Sequence, residues 1–208
     1  MRKNRIILTV LAVTAACLLF LYRPIKENKV YQQEIKLPEF SEIQENSVSS
    51  TKMIKRAKNT LENVFDIRID EDQYDIDVSY ETYEKSDYTT AYGKQSLSYA
   101  NINFNDRSTG ESVYTVACDT TNGEILMLTQ RYESPEGAAY LPIEELEKTA
   151  KSFFEKVAGI EQSQILYFDD GIQAETYHMN ITLKDSYESV LLYLDAFDGT
   201  VFYYMKEN

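Results

Sequence analysis

Few side chains in this 208-residue chain could carry acid–base, nucleophilic or metal chemistry. His178 is its one histidine, and Cys17 and Cys118 are its two cysteines. A zinc or transition-metal site wants several nitrogen and sulfur ligands close together, and one His without a usable Cys pair does not provide them. A serine nucleophile would need His178 as its base, yet no G-x-S-x-G element serves it. Carboxylates are plentiful: Asp70, Glu71, Asp72, Asp75 and Asp77 lie close in DIRIDEDQYDID, and Asp169 and Asp170 in DDG. Calcium favours such oxygen-rich stretches, but neither fits a D-x-D-x-D-G loop. With 34 acidic residues, some glycosidase-like carboxylate pair would arise by chance. The residues therefore predict no enzyme, no metal and no cofactor.

Tyrosine is the more suggestive side chain, with 17 copies. Tyr83, Tyr88, Tyr92 and Tyr99 cluster in and around one polar stretch. Exposed tyrosines give large amphipathic contact area at low entropic cost, as binding surfaces do. These four are the candidate binding residues; covering a sheet edge is the structural alternative.

The elements that must position such residues begin with an apolar head. Ile6 to Tyr22 is uncharged and follows MRKNR. At about 1.5 Å per residue its 17 residues make roughly 25 Å of helix, the short end of a membrane span. Residues 1–23 are expected to anchor the chain in the cell membrane by a single pass, with the N-terminus cytoplasmic and the body outside. A cleaved signal peptide ending at Thr14-Ala15-Ala16 is one alternative. Lipidation at Cys17 is another, and Thr14 argues against it. Residues 24–50, with Pro24 and Pro38, read as a polar tether.

The body is acidic. Removing the four basic residues of the first 23 from a total of 21 leaves 17, against 34 acidic ones. Such a surface repels phosphate and anionic headgroups, so nucleic acid is excluded as a partner. A hydrophobic fraction of 43% with this many aromatics still predicts a folded core.

Helical spacing of Ile54, Ala57, Leu61, Val64 and Phe65 opens the body. Alternation in Tyr74, Ile76, Val78 and Tyr80, then near 96–104 and 112–118, predicts strands. Asn122-Gly123 supplies a hairpin turn. The order then repeats. Pro142 precedes a stripe of Ile143, Leu146, Ala150, Phe153 and Val157 ending at Gly159. An apolar run at 165–168 and alternation at 176–183 follow, and VLLYLDAFDGTVFYYM closes as another hairpin. The two hairpins superpose without a gap at an offset of 76: Asp119 on Asp195, Asn122 on Asp198, Gly123 on Gly199 and Ile125 on Val201. The helices align only if about 15 extra residues are allowed in the first copy, around 86–95. The predicted fold class is α+β: two tandem helix-plus-antiparallel-sheet units, at 51–133 and 141–208, behind one transmembrane helix.

A helix, strands and a closing D-x-x-[N/D]-G-x-[I/V] hairpin resemble the PepSY domain family of bacterial envelope modules. The residues that carry the resemblance are Asp119, Asn122, Gly123 and Ile125, then Asp195, Asp198, Gly199 and Val201; residues 141–208 match better. The resemblance implies a non-catalytic module that binds or regulates an envelope protein, a protease or a cell-wall enzyme. The residues themselves read as turn chemistry, with the aspartates accepting backbone N–H bonds and the glycines supplying geometry. A ligand- or glycan-binding sensor using the tyrosine-rich insertion is the alternative function.

Overall fold

The computed structural model describes residues 30–35, 37, 50–84, 96–134 and 139–207; for 82–84 and 96–97 it describes the backbone alone. Helix α1 spans Ser50–Phe65 and buries Met53, Ala57, Thr60, Leu61, Val64 and Phe65 along one stripe. It ends where Asp66 turns left-handed at φ 54°. Helix α2 spans Ile143–Lys156, starts behind Pro142, and buries Leu146, Thr149, Ala150, Phe153 and Phe154. Glu144 and Glu145 in its first turn and Lys156 in its last oppose the helix dipole favourably. Ile143, expected on the buried stripe, is half exposed instead.

Among the described residues there are eight strands: β1 Tyr74–Glu84, β2 Ser96–Asp106, β3 Ser112–Asp119, β4 Ile125–Gln130, β5 Ile165–Gln173, β6 Thr176–Leu183, β7 Ser189–Asp195 and β8 Val201–Glu207. They form one sheet in the order β1-β2-β3-β4-β8-β7-β6-β5, and every neighbouring pair is antiparallel. The expected α+β pair of separate units is thus overturned: the chain is mostly β and builds a single eight-stranded sheet with two short helices. The physical reason lies at β4 and β8. As the last strands of two meanders, each would leave a row of backbone N–H and C=O groups unpaired, and joining the rows satisfies both. The transmembrane helix of that reading falls on residues that the structure does not describe. Among the described residues no helix is long and apolar enough to cross a membrane, and segment 6–22 lies outside them.

Register identifies the symmetry of the junction. Met127 pairs with Met205, Leu128 with Tyr204 and Thr129 with Tyr203. At the 76-residue offset Leu128 is equivalent to Tyr204, so a pseudo-twofold axis normal to the sheet passes through this pair. Such an axis leaves both helices on one face. There Met53, Leu61, Leu146, Phe153 and the inward residues of β2, β3, β6, β7 and β8 form one buried cluster. Phe153 of α2 reaches the axis directly, its ring 5.7 Å from that of Tyr204.

The helices superpose at a larger offset, about 93 residues, which aligns buried Met53 with Leu146, Ala57 with Ala150 and Leu61 with Phe154. The difference falls between the first two strands of each half. β5 and β6 are separated by two residues, whereas β1 ends at Glu84 and β2 begins at Ser96. Part of the polar lead-in is also placed. The N–H groups of Ile35 and Leu37 donate to the carbonyls of Lys156 and Val157, at 2.8 Å each. Tyr31 packs edge-on against Phe153 at 5.4 Å.

Truncating Leu128 to Ala should cost about 2–5 kcal/mol, as other core Leu→Ala changes do. Denaturant unfolding should remain one transition, because the pair belongs to both halves. Two separated transitions would show that the halves hold their structure independently. Tyr177, fully buried on β6, donates from its hydroxyl to Asp170 at 2.7 Å. Burial, and then that bond, push its pKa far above the ordinary 10.0. The unfolded chain releases this proton near pH 10 while the folded chain keeps it, so stability is full below pH 10 and falls above it. Tyr177→Phe should flatten the alkaline fall in melting temperature, and an unchanged slope would assign the effect to other tyrosines.

Candidate interaction surface

The two aspartate turns superpose bond for bond. The Asp119 N–H donates to the Glu124 carbonyl and Gly123 N–H to the Asp119 carbonyl, at 2.9 and 2.8 Å. Asp195 with Thr200, and Gly199 with Asp195, repeat the pattern at 2.9 Å each. The Asp119 carboxylate accepts from Thr121 N–H at 2.6 Å, and that of Asp195 from Phe197 and Asp198 N–H at 2.8 and 3.1 Å. Side-chain oxygens of Asn122 and Asp198 accept from the N–H two residues on, at 2.7 and 2.9 Å. Gly123 and Gly199 both sit at φ 70°, which an L side chain adopts only with strain. These six residues are committed to the turns.

Sequence reading missed two further copies. Asp106 accepts from Ser108 and Thr109 N–H at 2.7 and 3.2 Å, and Gly110 at φ 73° closes on its carbonyl. Between β6 and β7 the same backbone turn runs from Leu183 to Tyr187, with Tyr187 at φ 57° in the glycine position. The D-x-x-x-G spacing at 106–110 was visible; Leu183 and Tyr187 gave no such signal.

The second aspartate turn has partners that the first lacks in the alignment. After β4 the chain passes beneath it, where the Tyr132 hydroxyl donates to Asp198 and the Ser134 hydroxyl to Asp195. Burial first, and the Asp198 carboxylate second, raise the Tyr132 pKa well above its usual value. Asp195 and Asp198 are both buried, so these hydroxyls serve carboxylates that water reaches poorly. Another bond set ties the first turn to the second half: Lys206 places Nζ 2.6 Å from Glu124 and 3.4 Å from Glu188. Burial opposes its charge, but those carboxylates outweigh it and raise its pKa.

The helices cover one face of the sheet, and among the described residues no helix or strand covers the other. Because Leu128, Leu192 and Tyr204 point into the core, strand alternation turns Met127, Leu191, Tyr193, Tyr203 and Met205 to the opposite face. Register makes them contiguous: Met127 beside Met205, Met205 beside Leu191, and Tyr203 beside both Thr129 and Tyr193. The Tyr193 and Tyr203 rings stack at 5.0 Å, and the Tyr203 hydroxyl contacts the Met205 sulfur at 3.0 Å. All five are half buried. Towards β1 the face becomes polar and acidic, through Asn101, Asn103, Glu81, Asp77 and Asp75.

Of the tyrosines named from sequence, only Tyr99 has a described side chain. Tyr88 and Tyr92 lie outside the described residues, and Tyr83 is placed by its backbone alone, opposite Leu97. Tyr99 donates its hydroxyl to Glu81 at 2.8 Å, and that bond, ahead of burial, raises its pKa. Tyr193 and Tyr203 went unrecognised because, as a bare pattern, a tyrosine on a closing hairpin is equally a core residue.

His178 stands on the open face of β6, with its ring over Gly171 of β5: a Cβ added at Gly171 would lie 3.4 Å from His178 Cε1. Cys118 is fully buried, and burial pushes its thiol up to about 12. The carboxylates of the acidic stretch serve structure. Asp70 accepts from Asp72 N–H at 3.1 Å, Glu71 pairs with Lys58 and Asp75 with Arg107, both at 2.8 Å. Among the described residues, no group of three or more His, Cys, Asp or Glu is placed to hold a metal ion.

Asp195→Ala should lower stability by about 1–3 kcal/mol, since it strips the acceptor from two backbone N–H groups, that of Asp198 buried, and from the Ser134 hydroxyl. A double-mutant cycle separates the strap from the turn. Ser134 and Asp195 should couple by at least about 0.5 kcal/mol, whereas Ser134 and Asp119 should be additive. Additivity in both cycles would remove the strap.

No known family model matches this sequence, and no curated protein matches it. Among solved structures, the Bacillus megaterium YpeB C-terminal domain is similar with a TM-score of 0.49 at 10% sequence identity, over 77% of this chain and 63% of that one. The chain therefore spans less than two thirds of that structure's length.

Proposed function

We propose that this chain is a non-catalytic, PepSY-like interaction module of the bacterial envelope, which binds or restrains a protease or a cell-wall enzyme. The observation that carries the reading is the open sheet face: a stripe of Met127, Leu191, Tyr193, Tyr203 and Met205 runs across the central strands with no described element on it. Tyrosine and methionine are the side chains that protein interfaces favour, the first for rigid contact area and the second for adaptability. Membrane attachment through residues 6–22, with the body extracytoplasmic, fits the basic head and the apolar run behind it. The repeated D-x-x-[N/D]-G turn supports the family assignment. The acidic body suits a protein partner better than nucleic acid.

Affinity capture with the full chain from solubilised envelope, followed by mass spectrometry, tests this. One peptidase or wall enzyme should be enriched, and Tyr193→Asp with Tyr203→Asp should reduce its recovery at least tenfold while the protein stays folded. Equal recovery by the variant would remove the open face from the function. Retention of glycan in place of protein would favour a sensor domain.

A further inference from the structure

The two outer strands of the sheet, β1 and β5, occupy equivalent places about the pseudo-twofold axis and carry opposite surfaces. Register sets the correspondence. Ile76 pairs with Phe104 as Phe168 pairs with Ile181, so Asp75 is equivalent to Tyr167, and Asp77 to Asp169. On β1, Asp75 takes an ion pair with Arg107 at 2.8 Å, and exposed Asp77 and Glu81 keep the strand charged. Charge along an outer strand is the usual protection against unwanted pairing. On β5 the charge is missing from the first part of the strand, where Leu166, Tyr167 and Phe168 are consecutive and expose 53%, 63% and 42% of their surface, and it returns at Asp169. Since β1 carries Asp75 where β5 carries Tyr167, the fold does not demand an aromatic residue at that position.

Geometry leaves this strand fit for pairing. A bulge between Ile165 and Tyr167 turns Leu166 outward, and beyond it Tyr167 to Gln173 pair with β6 in unbroken register. Alternate residues of an antiparallel strand direct their N–H and C=O groups away from their neighbour, so these seven residues offer about three outward sets. No described element pairs with them.

Charge chooses the occupant. Glu161, Asp169 and Glu175 are exposed around the strand and Asp170 is partly so. Of the nearby cations, Lys151 is held by Glu147 and lies over the Phe168 ring, and Lys184 donates to the Ser163 carbonyl. A second copy would bring β5 or β1 against this row, acid upon acid, in a chain of net charge −13. An extended segment alternating apolar with Lys or Arg residues meets no such opposition. We infer that the outer edge of β5 accepts, by strand addition, an extended basic segment of a partner protein. This rests on the interaction-module reading and names where one partner segment docks.

The probe is a seven-residue peptide alternating Val and Lys, titrated into the full chain in mild detergent and followed by calorimetry. It should bind with salt-sensitive affinity, while the Val–Glu counterpart and an alternately N-methylated Val–Lys peptide should not. Tyr167→Asp should alter the apolar contact, and Asp169→Lys should weaken binding at least tenfold by charge alone. Tyr80→Asp on β1 should leave binding unchanged. No binding, equal loss from the β1 variant, full binding by the N-methylated peptide, or a dimer that Asp169→Lys strengthens and the peptide cannot displace would each overturn the inference. Partner capture that depends on Tyr193 and Tyr203 but survives Asp169→Lys would leave the broader function standing and reject this docking edge alone.

Discussion

Everything else in this molecule leans on the antiparallel pairing of β4 with β8. Two four-stranded meanders would each have ended in a raw edge; here the two edges satisfy one another around the Leu128–Tyr204 pair. Because the pseudo-axis through that pair stands normal to the sheet, both helices are brought to the same side. They then share one core in which Phe153 touches Tyr204. The same operation leaves the opposite face without either of these two helices. The uncovered stripe is thus a consequence of the junction, and the junction supplies its central side chains, Met127, Tyr203 and Met205.

Departures from symmetry are more informative than its agreements. The aspartate turns share their backbone bonds to within a few tenths of an ångström, yet the first takes a hydroxyl from its own Thr121, whereas the second, at Asp195 and Asp198, takes those of Ser134 and Tyr132. Those hydroxyls come from the chain linking β4 to α2, which has no counterpart after β8 within the described residues. Lys206 compensates from the other direction, joining Glu124 of the first half to Glu188 of the second. Both devices tie one half to the other by charge-assisted bonds with limited solvent access, where such bonds are strongest. The outer strands differ too, where Asp75 of β1 is answered by Tyr167 of β5 and the β5 bulge adds an exposed Leu166.

Much of this was legible residue by residue. Apolar spacing at 3.6 located both helices, and alternation located most of the strands, because burial of one face imposes those periods wherever the partner lies. Asp119-x-x-Asn122-Gly123 and Asp195-x-x-Asp198-Gly199 announced their turns, since a positive φ and a nearby carboxylate are local requirements. The small supply of His and Cys settled which chemistries had residues to draw on. Ile143 was misplaced on the buried stripe because a helix's first turn can satisfy the pattern yet project beyond the sheet.

What tertiary structure alone decided is which strand lies beside which. Period-two alternation is the same whether two hairpins close separate sheets or share one, so the sequence by itself determined elements and turns but left the two-unit α+β reading standing. The pairing of Met127 with Met205 joins residues 78 apart, and no local propensity encodes that. Side-chain exposure followed from the same choice: Tyr193 and Tyr203 become a surface, and Tyr177 and Tyr204 a core, only once the helices have taken one side of a continuous sheet.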